Sequence, residues 1–327
     1  MSDFRSRMKT ATIRYKEEVL SLRKPGNWRG GKYRHILPIE VWDLNLWEQI
    51  RDAARIHFVE EEIAWHAQRH NLLSSQILCV NIFFPLRNEQ TLLAGFLANH
   101  IPQLAGVGKM YFEYIGDKNY LNEPGGRGQL RTSADVALEW FDTSNSRGLL
   151  LLEFKFTERE FGGCGGATSK GNADRLRCHR PTEIVEAPDR MCYLAKPKER
   201  PYWQIALGPD SPLRIDLLTK EPYCPFRYDF YQLMRNQFLA HMIESDPHSG
   251  FRRALFGVAY HAENDNLLQM DRTFDGEGNP LKAWAGLLRE PDSFINLTLQ
   301  DLLTWMDPRL PSHLEGWRSF LSEKYEL

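Results

Sequence analysis

The chain has 327 residues, of which 42% are hydrophobic and 12% aromatic, and its formal net charge is −2. These proportions predict a folded protein with a sizeable core and exclude disordered and fibrous classes. The first twenty residues are polar, and the longest apolar run, at residues 149–152, is far too short to span a bilayer, so we expect a cytoplasmic protein without a membrane segment.

The small net charge hides a basic N-terminal segment. Residues 1–34 contain ten Lys or Arg and three Asp or Glu, so this segment carries +7 and the remainder −9. Tyr15, Trp28 and Tyr33 are interleaved with the charges, as in an arm that grips phosphates and stacks on bases. A solvated basic tail explains the pattern equally well. We therefore separate a basic arm, residues 1–38, from a single domain, residues 39–327.

Periodicity along that domain predicts helices first and strands second. Apolar spacing predicts helices at residues 39–68, 73–84 and 90–100, the second opened by Ser74 or Ser75 and ended by Pro85. Runs at residues 109–115, 133–141 and 149–156 are typical of strands and suit an antiparallel meander. Residues 159–224 form an insertion without periodicity, followed by a helix at 225–244, a strand at 254–260 and helices at 297–306 and 316–325. This order predicts an α/β domain.

Two neighbouring predicted strands carry charged residues. Asp135 begins one strand, and Glu153, Phe154 and Lys155 lie in the next. Because strand side chains alternate, Glu153 and Lys155 share one face and Phe154 points to the other. If Asp135 lies beside Glu153, the two carboxylates can hold Mg²⁺, and Lys155 can orient or deprotonate a metal-bound water.

This pattern predicts a phosphodiester-cleaving site. The competing interpretation is a ladder of surface ion pairs, but residues 149–152 are apolar on both faces. Such a run marks a central strand, where unpaired charge is costly.

Asp135 ahead of Glu153-Phe154-Lys155, within the order helix, three strands, helix and fourth strand, resembles the PD-(D/E)XK nuclease superfamily. More narrowly, the strings at residues 74–81, 153–158, 160–164 and 231–237 resemble a bacterial family of restriction endonucleases in that superfamily. The likeness covers residues 70–265. One departure is Ala134, which stands where the superfamily has a proline.

The resemblance implies a restriction-endonuclease-like core and roles for individual residues. Asp135, Glu153 and the carbonyl of Phe154 would bind Mg²⁺ or Mn²⁺, and Lys155 would position water or stabilise charge. Gln76 is the first candidate for an added polar group from the first helix, and Glu113 is the second. Gln232 would contact the metal-bound water or a phosphate, or else serve as a helix-capping or core amide.

The resemblance also implies a function. We expect a metal-dependent nuclease that hydrolyses double-stranded DNA in restriction or defence, as a monomer or an oligomer. The hypothesis from a different class is a nucleic-acid-binding or assembly protein that keeps the same fold without catalysis.

Four of the five cysteines lie in or at the end of the insertion: Cys164, Cys178, Cys192 and Cys224. Four thiols in an unpatterned loop favour a bound metal over disulfides, with Zn²⁺ as the structural choice. A [4Fe–4S] cluster, with a redox or sensing role, is the second choice. No pair has the Cys-x-x-Cys spacing, so four independent thiols remain an alternative.

Two further patterns involve histidines and glycines. Glu62, His66 and His70 are spaced by four, as zinc ligands on one helix face would be, although a solvated helix face gives the same spacing. The glycine-rich residues 162–166 lack the Lys-Ser/Thr of a P-loop, so nucleotide binding is not expected.

Overall fold

A five-stranded mixed sheet forms the centre of the computed structural model, which describes residues 3–127 and 130–327. Seven strands lie in these residues: β1 (Gly26–Trp28), β2 (Gly31–Tyr33), β3 (Leu104–Tyr114), β4 (Ala134–Asp142), β5 (Arg147–Lys155), β6 (Arg253–Tyr260) and β7 (Phe294–Thr298). β1 and β2 form a separate hairpin, and the large sheet has the order β3-β4-β5-β6-β7. The β3-β4-β5 meander is antiparallel, as predicted, whereas β6 and β7 are added in parallel.

Twelve α-helices surround the sheet in the described residues: α1 (Phe4–Arg14), α2 (Arg51–Glu60), α3 (Ser75–Leu86), α4 (Gln90–Leu97), α5 (Gly165–Thr168), α6 (Pro181–Glu186), α7 (Pro188–Met191), α8 (Tyr202–Leu207), α9 (Tyr231–Ser245), α10 (Pro280–Leu287), α11 (Leu299–Met306) and α12 (Glu315–Tyr325). The predicted helices at α3, α4, α9, α11 and α12 are confirmed, except that α3 continues through Pro85, which was expected to end it, to Leu86. The molecule is therefore an α/β protein with the expected helix-rich ends.

The predicted helix over residues 39–68 is wrong for most of its length. Two 3₁₀ turns, Ile39–Asn45 and Glu48–Ile50, precede α2, which ends at Glu60. The Trp47 amide donates to the Asn81 side-chain oxygen at 2.8 Å instead of to a carbonyl one turn back. A tertiary contact thus interrupts a sequence whose local periodicity is helical.

Strand β7 is missing from the prediction because it is short and runs directly into α11. Thr298 ends the strand, and its side chain accepts a hydrogen bond from the Asp301 amide, which caps the helix. Strand and helix patterns therefore merge in the sequence.

The basic segment packs on the domain rather than standing apart as an arm or a solvated tail. Helix α1 buries Phe4, Met8 and Ala11, and Tyr15 follows them into the same apolar cluster. These apolar positions, spaced by three or four residues, form one helix face that the many charges obscure in the sequence. Because Tyr15 is buried, it cannot stack on a base, and residue 38 is not the edge of a separate unit.

The sheet separates two apolar clusters. Leu150, Leu152 and Phe154 point into a cluster shared with α1, α3, α4, α11 and α12. Leu149 and Leu151 point into a second cluster shared with α8, α9, α10 and apolar residues of the insertion. This alternation produces three layers and leaves the polar residues at the end of β5 on the side of α9.

Candidate active site at the ends of strands β4 and β5

Asp135 and Glu153 lie at the point where β4 and β5 part. The ladder between the two strands ends at the Val136–Leu152 pair, and the same register continued by one residue places Asp135 opposite Glu153. Beyond that point the Phe154 amide donates to the Asp135 carboxylate at 2.7 Å. Both acidic side chains are buried. The end of the ladder thus holds two carboxyl groups side by side.

Glu153, Lys155 and Gln232 form a closed triangle of polar contacts. The Lys155 ammonium lies 3.0 Å from a Glu153 oxygen and donates to the Gln232 side-chain oxygen at 2.6 Å. The Gln232 amide nitrogen, from α9, donates to the same Glu153 oxygen at 2.7 Å. Phe154 is buried in the cluster on the opposite face, as strand alternation predicts.

Asn236 is a residue of this site that sequence reasoning missed. Its side-chain nitrogen donates to the second Glu153 oxygen at 3.1 Å, while its own side-chain oxygen is buried without a partner among the residues that the structure describes. It lies one helical turn after Gln232, so two amides four residues apart on α9 are the signal that points to it.

A second polar group surrounds Glu113. Gln76, in the first turn of α3, donates to Glu113 at 2.6 Å, and the Ser133 hydroxyl donates to the other Glu113 oxygen at 2.8 Å. The His66 ring nitrogen lies 3.3 Å from Glu113, and the His66 amide donates to the Gln76 side-chain oxygen at 2.8 Å. Gln76 and Glu113, both predicted from sequence, therefore meet, whereas His66 and Ser133 were not expected here.

The backbone of Glu113 has an unusual conformation for a strand. Its φ is +48°, in the left-handed region that non-glycine residues seldom occupy. Tyr114 pairs with Ala134, and that register places Glu113 opposite Asp135. Such backbone strain costs about 1–3 kcal/mol and is concentrated at functional sites.

The alternative zinc face of Glu62, His66 and His70 does not exist. The chain leaves the helix after α2, and Glu62 itself has a φ of +54°. His66 contacts the Glu113 group, whereas the His70 ring packs edge-on against Trp28 at a centroid distance of 5.9 Å. Because these residues do not lie on a helix, their spacing of four residues does not place them on one face.

Burial and neighbouring charges raise the pKa values of two acidic residues at the site, Asp135 and Glu113. Burial, followed by the charges of Glu153 and Glu113, raises the pKa of Asp135 well above its ordinary value. Burial also raises the pKa of Glu113, with Glu153 adding to the shift and His66 opposing it. The site therefore concentrates three neighbouring carboxyl groups.

Lys155 stays charged in this setting. Burial alone would lower its pKa, but the charges of Glu153, Glu158 and Asp135 outweigh burial and raise the pKa above its ordinary value. One ammonium therefore lies among several carboxyl groups and does not neutralise all of them when they are ionised. Such a site would favour binding of a cation.

The donor set suits a hard divalent cation. Carboxylates and backbone carbonyls are the oxygen ligands that Mg²⁺ takes together with water, and one or two carboxylates are the usual protein share. Asp135, Glu153 and the Phe154 carbonyl are donors of that kind, and Asn236, whose side-chain oxygen has no partner among the described residues, contacts Glu153 through its side-chain nitrogen. As they stand, no three His, Cys, Asp or Glu side chains in residues 3–127 and 130–327 are arranged to hold a metal ion.

Two clefts that share Arg5 and Glu158 in their linings lie beside the site. One, of about 770 Å³, is lined by Lys155 and Gln232, and the other, of about 540 Å³, by Trp28 and Arg29; Arg5 lines both. A larger cleft of about 1020 Å³ lies at the other end of the strands, and none of the predicted site residues lines it.

The four insertion cysteines are free thiols, with Cys224 buried and Cys164, Cys178 and Cys192 half-buried. The Cys224 amide donates to the Cys178 carbonyl at 2.7 Å. The fifth cysteine, Cys79 on α3, is buried in the apolar cluster on the opposite face of the sheet from the insertion.

Comparison with known proteins gives one match. The model of a family described as restriction endonuclease associating with ARP matches residues 8–326. That span includes most of the basic segment and the C-terminal helices, both of which lie outside residues 70–265. No curated protein and no solved structure matches the chain. In the described ranges, none of the helices is long and apolar enough to cross a membrane.

Proposed function

The chain belongs to the family of restriction endonucleases associating with ARP, and from this premise we propose that it is a metal-dependent nuclease of the PD-(D/E)XK type. Its substrate would be double-stranded DNA, and its role restriction or defence. The observation that carries the proposal is the Glu153–Lys155–Gln232 triangle beside Asp135, at the end of the sheet and at the mouth of a cleft. The order α3, β3-β4-β5, α9, β6 agrees with the core of that superfamily.

In this proposal Asp135, Glu153 and the Phe154 carbonyl would hold Mg²⁺ or Mn²⁺. When bound, the cation would supply Lewis acidity to the phosphate and increase the acidity of its water. Asp135 is oriented for this role by the Phe154 amide, and Glu153 by Gln232 and Asn236.

Lys155 would stabilise the negative charge that develops on the phosphate. Its raised pKa keeps the amine protonated, which favours charge stabilisation over removal of a proton from water. Gln232 fixes the ammonium through its side-chain oxygen.

The N-terminal segment would supply one wall for the nucleic acid. Arg5 and Arg29 are exposed at the two clefts, and Trp28 is half-buried, with the Arg29 guanidinium 5.6 Å from its ring centre. Arginines would contact phosphates, and the indole would stack on a base or sugar.

The test is cleavage of plasmid DNA, linear DNA and RNA with and without Mg²⁺ or Mn²⁺. Glu153→Gln and Lys155→Ala should each lower the cleavage rate by at least about 100-fold while circular dichroism shows a retained fold. Glu139→Gln is the matched control, because Glu139 is also a buried strand glutamate with a cationic partner, Arg147 at 2.9 Å, but lies toward the other end of β4. It should leave cleavage unchanged.

Binding of nucleic acid without cleavage would contradict the proposal. A wild-type protein that binds these nucleic acids but cleaves none of them in either metal would refute the nuclease and support the non-catalytic binder on the same fold. Equal loss of activity in Glu139→Gln would mean that the variants act through stability.

A further inference from the structure

Glu113 and His66 form a carboxylate–imidazole pair to which the proposed function gives no role. The Nε2 atom of the His66 ring lies 3.3 Å from one carboxylate oxygen of Glu113. The Glu113 side chain is 2% exposed, whereas that of His66 is 41% exposed. Because Nε2 faces the buried carboxylate, Nδ1 is the ring nitrogen available to a molecule outside. A carboxylate that orients an imidazole in this way is typical of histidines that transfer protons.

The carboxylate of Glu113 is itself held by two further donors. The Gln76 side-chain nitrogen donates to the oxygen that faces His66, at 2.6 Å, and the Ser133 hydroxyl donates to the other oxygen at 2.8 Å. The backbone φ of Glu113 is +48°, in the left-handed region. Backbone strain of this kind persists only where the surroundings fix the residue, so the carboxylate is a rigid support for the imidazole.

The pair lies beside a proposed metal ligand. Tyr114 pairs with Ala134 in the ladder between β3 and β4, and the same register continued by one residue places Glu113 opposite Asp135. Directly opposite residues of antiparallel strands have Cβ atoms about 4.5–5.5 Å apart. The charge of Glu113 also contributes to the raised pKa of Asp135, as expected of close carboxyl groups. The imidazole of His66 is thus separated from Asp135 by one side chain.

The His66 ring faces a cleft that can hold phosphates. It lines the cleft of about 540 Å³ to which Arg5 and Arg29 also contribute. Glu158 lines this cleft and the neighbouring one, which contains Lys155. A backbone phosphate bound by the two arginines would therefore lie in the same cleft as the imidazole.

The imidazole is not needed to hold its own loop in place. The His66 amide donates to the Gln76 side-chain oxygen at 2.8 Å, and the Arg69 amide donates to the His66 carbonyl at 2.9 Å. At the start of the loop, the Ile63 amide donates to the Phe58 carbonyl at 2.8 Å. None of these contacts uses the ring, so replacing the ring should leave the fold intact.

We propose that His66 is the general acid that protonates the leaving oxygen of the phosphodiester, an inference that rests on the proposed nuclease function. Water attacks phosphorus, the bond from phosphorus to the leaving oxygen breaks, and its electron pair stays on that oxygen. The leaving oxygen takes the proton of the His66 imidazolium. The attacking water releases a proton to solvent, and the neutral imidazole regains one from solvent. Glu113 compensates the charge of the imidazolium and keeps the ring oriented throughout, as a positioning residue.

The test replaces the leaving oxygen with sulfur. A thiolate is far less basic than an alkoxide, so a sulfur leaving group departs without a proton. Cleavage positions are first mapped on ordinary DNA with the wild-type protein, and the product ends identify the leaving oxygen as 3′ or 5′. DNA with sulfur at that bridging atom is then cleaved under single-turnover conditions, with the same metal ion in every reaction.

His66→Gln should lower the cleavage rate on ordinary DNA by at least about 100-fold. On the sulfur-containing linkage it should cleave within about threefold of the wild-type rate, because no proton is required there. His66→Asn is a second variant with the same expectation, and circular dichroism checks the fold of both.

The matched control is His313→Gln, which alters another histidine beside a glutamate. The His313 ring lies 2.9 Å from Glu89, in the 3₁₀ turn Ser312–Leu314, and lines neither cleft. It should leave both rates unchanged. His66 variants that cleave ordinary DNA at the wild-type rate, or that lose the same factor on both linkages, overturn the proposal while the nuclease stands. A wild-type protein that cleaves neither linkage refutes the nuclease, and this inference with it.

Discussion

Gln232 contacts two other members of the proposed catalytic triangle. It donates to Glu153 and accepts from Lys155, so one side chain orients a carboxylate and an ammonium. Gln232→Ala is therefore expected to lower cleavage about 10–100-fold, the range for loss of a residue that orients metal ligands, with little change in stability. The measurement is the rate at saturating Mg²⁺.

The control for that variant is Gln237→Ala on the same helix. Gln237 is also buried, but its side-chain oxygen has no hydrogen-bond partner, and no contact ties it to Glu153 or Lys155 in the described residues. Equal loss of activity in both variants would assign the effect to α9 as a whole.

Asp135 makes the metal-free protein sensitive to pH. Its folded-state pKa is raised by burial, Glu153 and Glu113, so above about pH 4 the folded state keeps a proton that the unfolded chain has released. The free energy of unfolding then falls as pH rises toward the folded pKa. Asp135→Asn should abolish cleavage, yet in EDTA it should stabilise the protein and reduce this slope in urea titrations.

Asp142→Asn provides a comparison of opposite sign on the same strand. Hydrogen bonds from the Ser144 side chain and the Ser146 amide lower the pKa of Asp142, so its ionised form stabilises the fold above its unfolded pKa and that contribution is lost as pH falls. Asp142→Asn should therefore destabilise the protein near neutral pH. If Asp135→Asn does the same, the pKa of Asp135 is not raised in the folded protein.

The strand pattern predicted which charged residues share a face at the candidate site, whereas other contacts there depend on distant segments. Period-two alternation suffices to place Glu153 and Lys155 on one face, away from Phe154. Neither the contact of His66 with Glu113 nor the unpaired oxygen of Asn236 follows from local sequence. Both depend on where a loop and α9 pack against the sheet.

At the scale of elements, a buried lysine fastens the N-terminal segment. The Lys16 ammonium donates to the carbonyls of Lys24, Arg34 and Ile36 at 2.7, 2.9 and 2.9 Å, and its side chain is 1% exposed. Lys16→Met leaves three carbonyls without that donor and should lower the free energy of unfolding by about 2–4 kcal/mol. Urea denaturation measures the change.

Lys9→Met is the matched control, because Lys9 is an exposed lysine on α1. It should change stability by less than about 0.5 kcal/mol. A Lys16→Met variant as stable as this control would mean that the three carbonyls are satisfied in another way.

The elements that the sequence predicted are those whose pattern is uninterrupted. Helix α9 and strands β4 to β6 are rich in apolar residues, and their positions follow from that composition. The false helix at residues 39–68 and the missed β7 differ in this respect, since a contact with Asn81 breaks the first and the Thr298 cap merges the second with a helix. Helix α1 was hidden by its charge.

At the scale of the molecule, two apolar clusters share one sheet. Leu150 points into one cluster and Leu151 into the other, and both are fully buried. Leu150→Ala and Leu151→Ala should each cost about 2–5 kcal/mol. Because β5 belongs to both clusters, hydrogen exchange in α9 and α12 should accelerate together in either variant.

Loss of protection from hydrogen exchange in one of the two helices without the other would contradict this expectation. If Leu150→Ala exposed α12 alone and Leu151→Ala exposed α9 alone, the two layers would be separate folding units. Surface Glu60→Gln, at the end of α2, is the control that should leave exchange in both helices unchanged.

The irregular pairing register of β3 affects whether this edge of the sheet can pair with the sheet edge of another copy. β3 is an edge strand of eleven residues, and its pairing with β4 shifts between Leu104 and Gly106 and again between Val107 and Met110. Bulges and an outward lysine, here Lys109, are the devices that keep edge strands from annealing to one another. The opposite edge, β7, has five residues and turns at once into α11. Neither margin of the sheet thus offers a long straight template, which protects a chain with this much buried β-structure against aggregation through its edges.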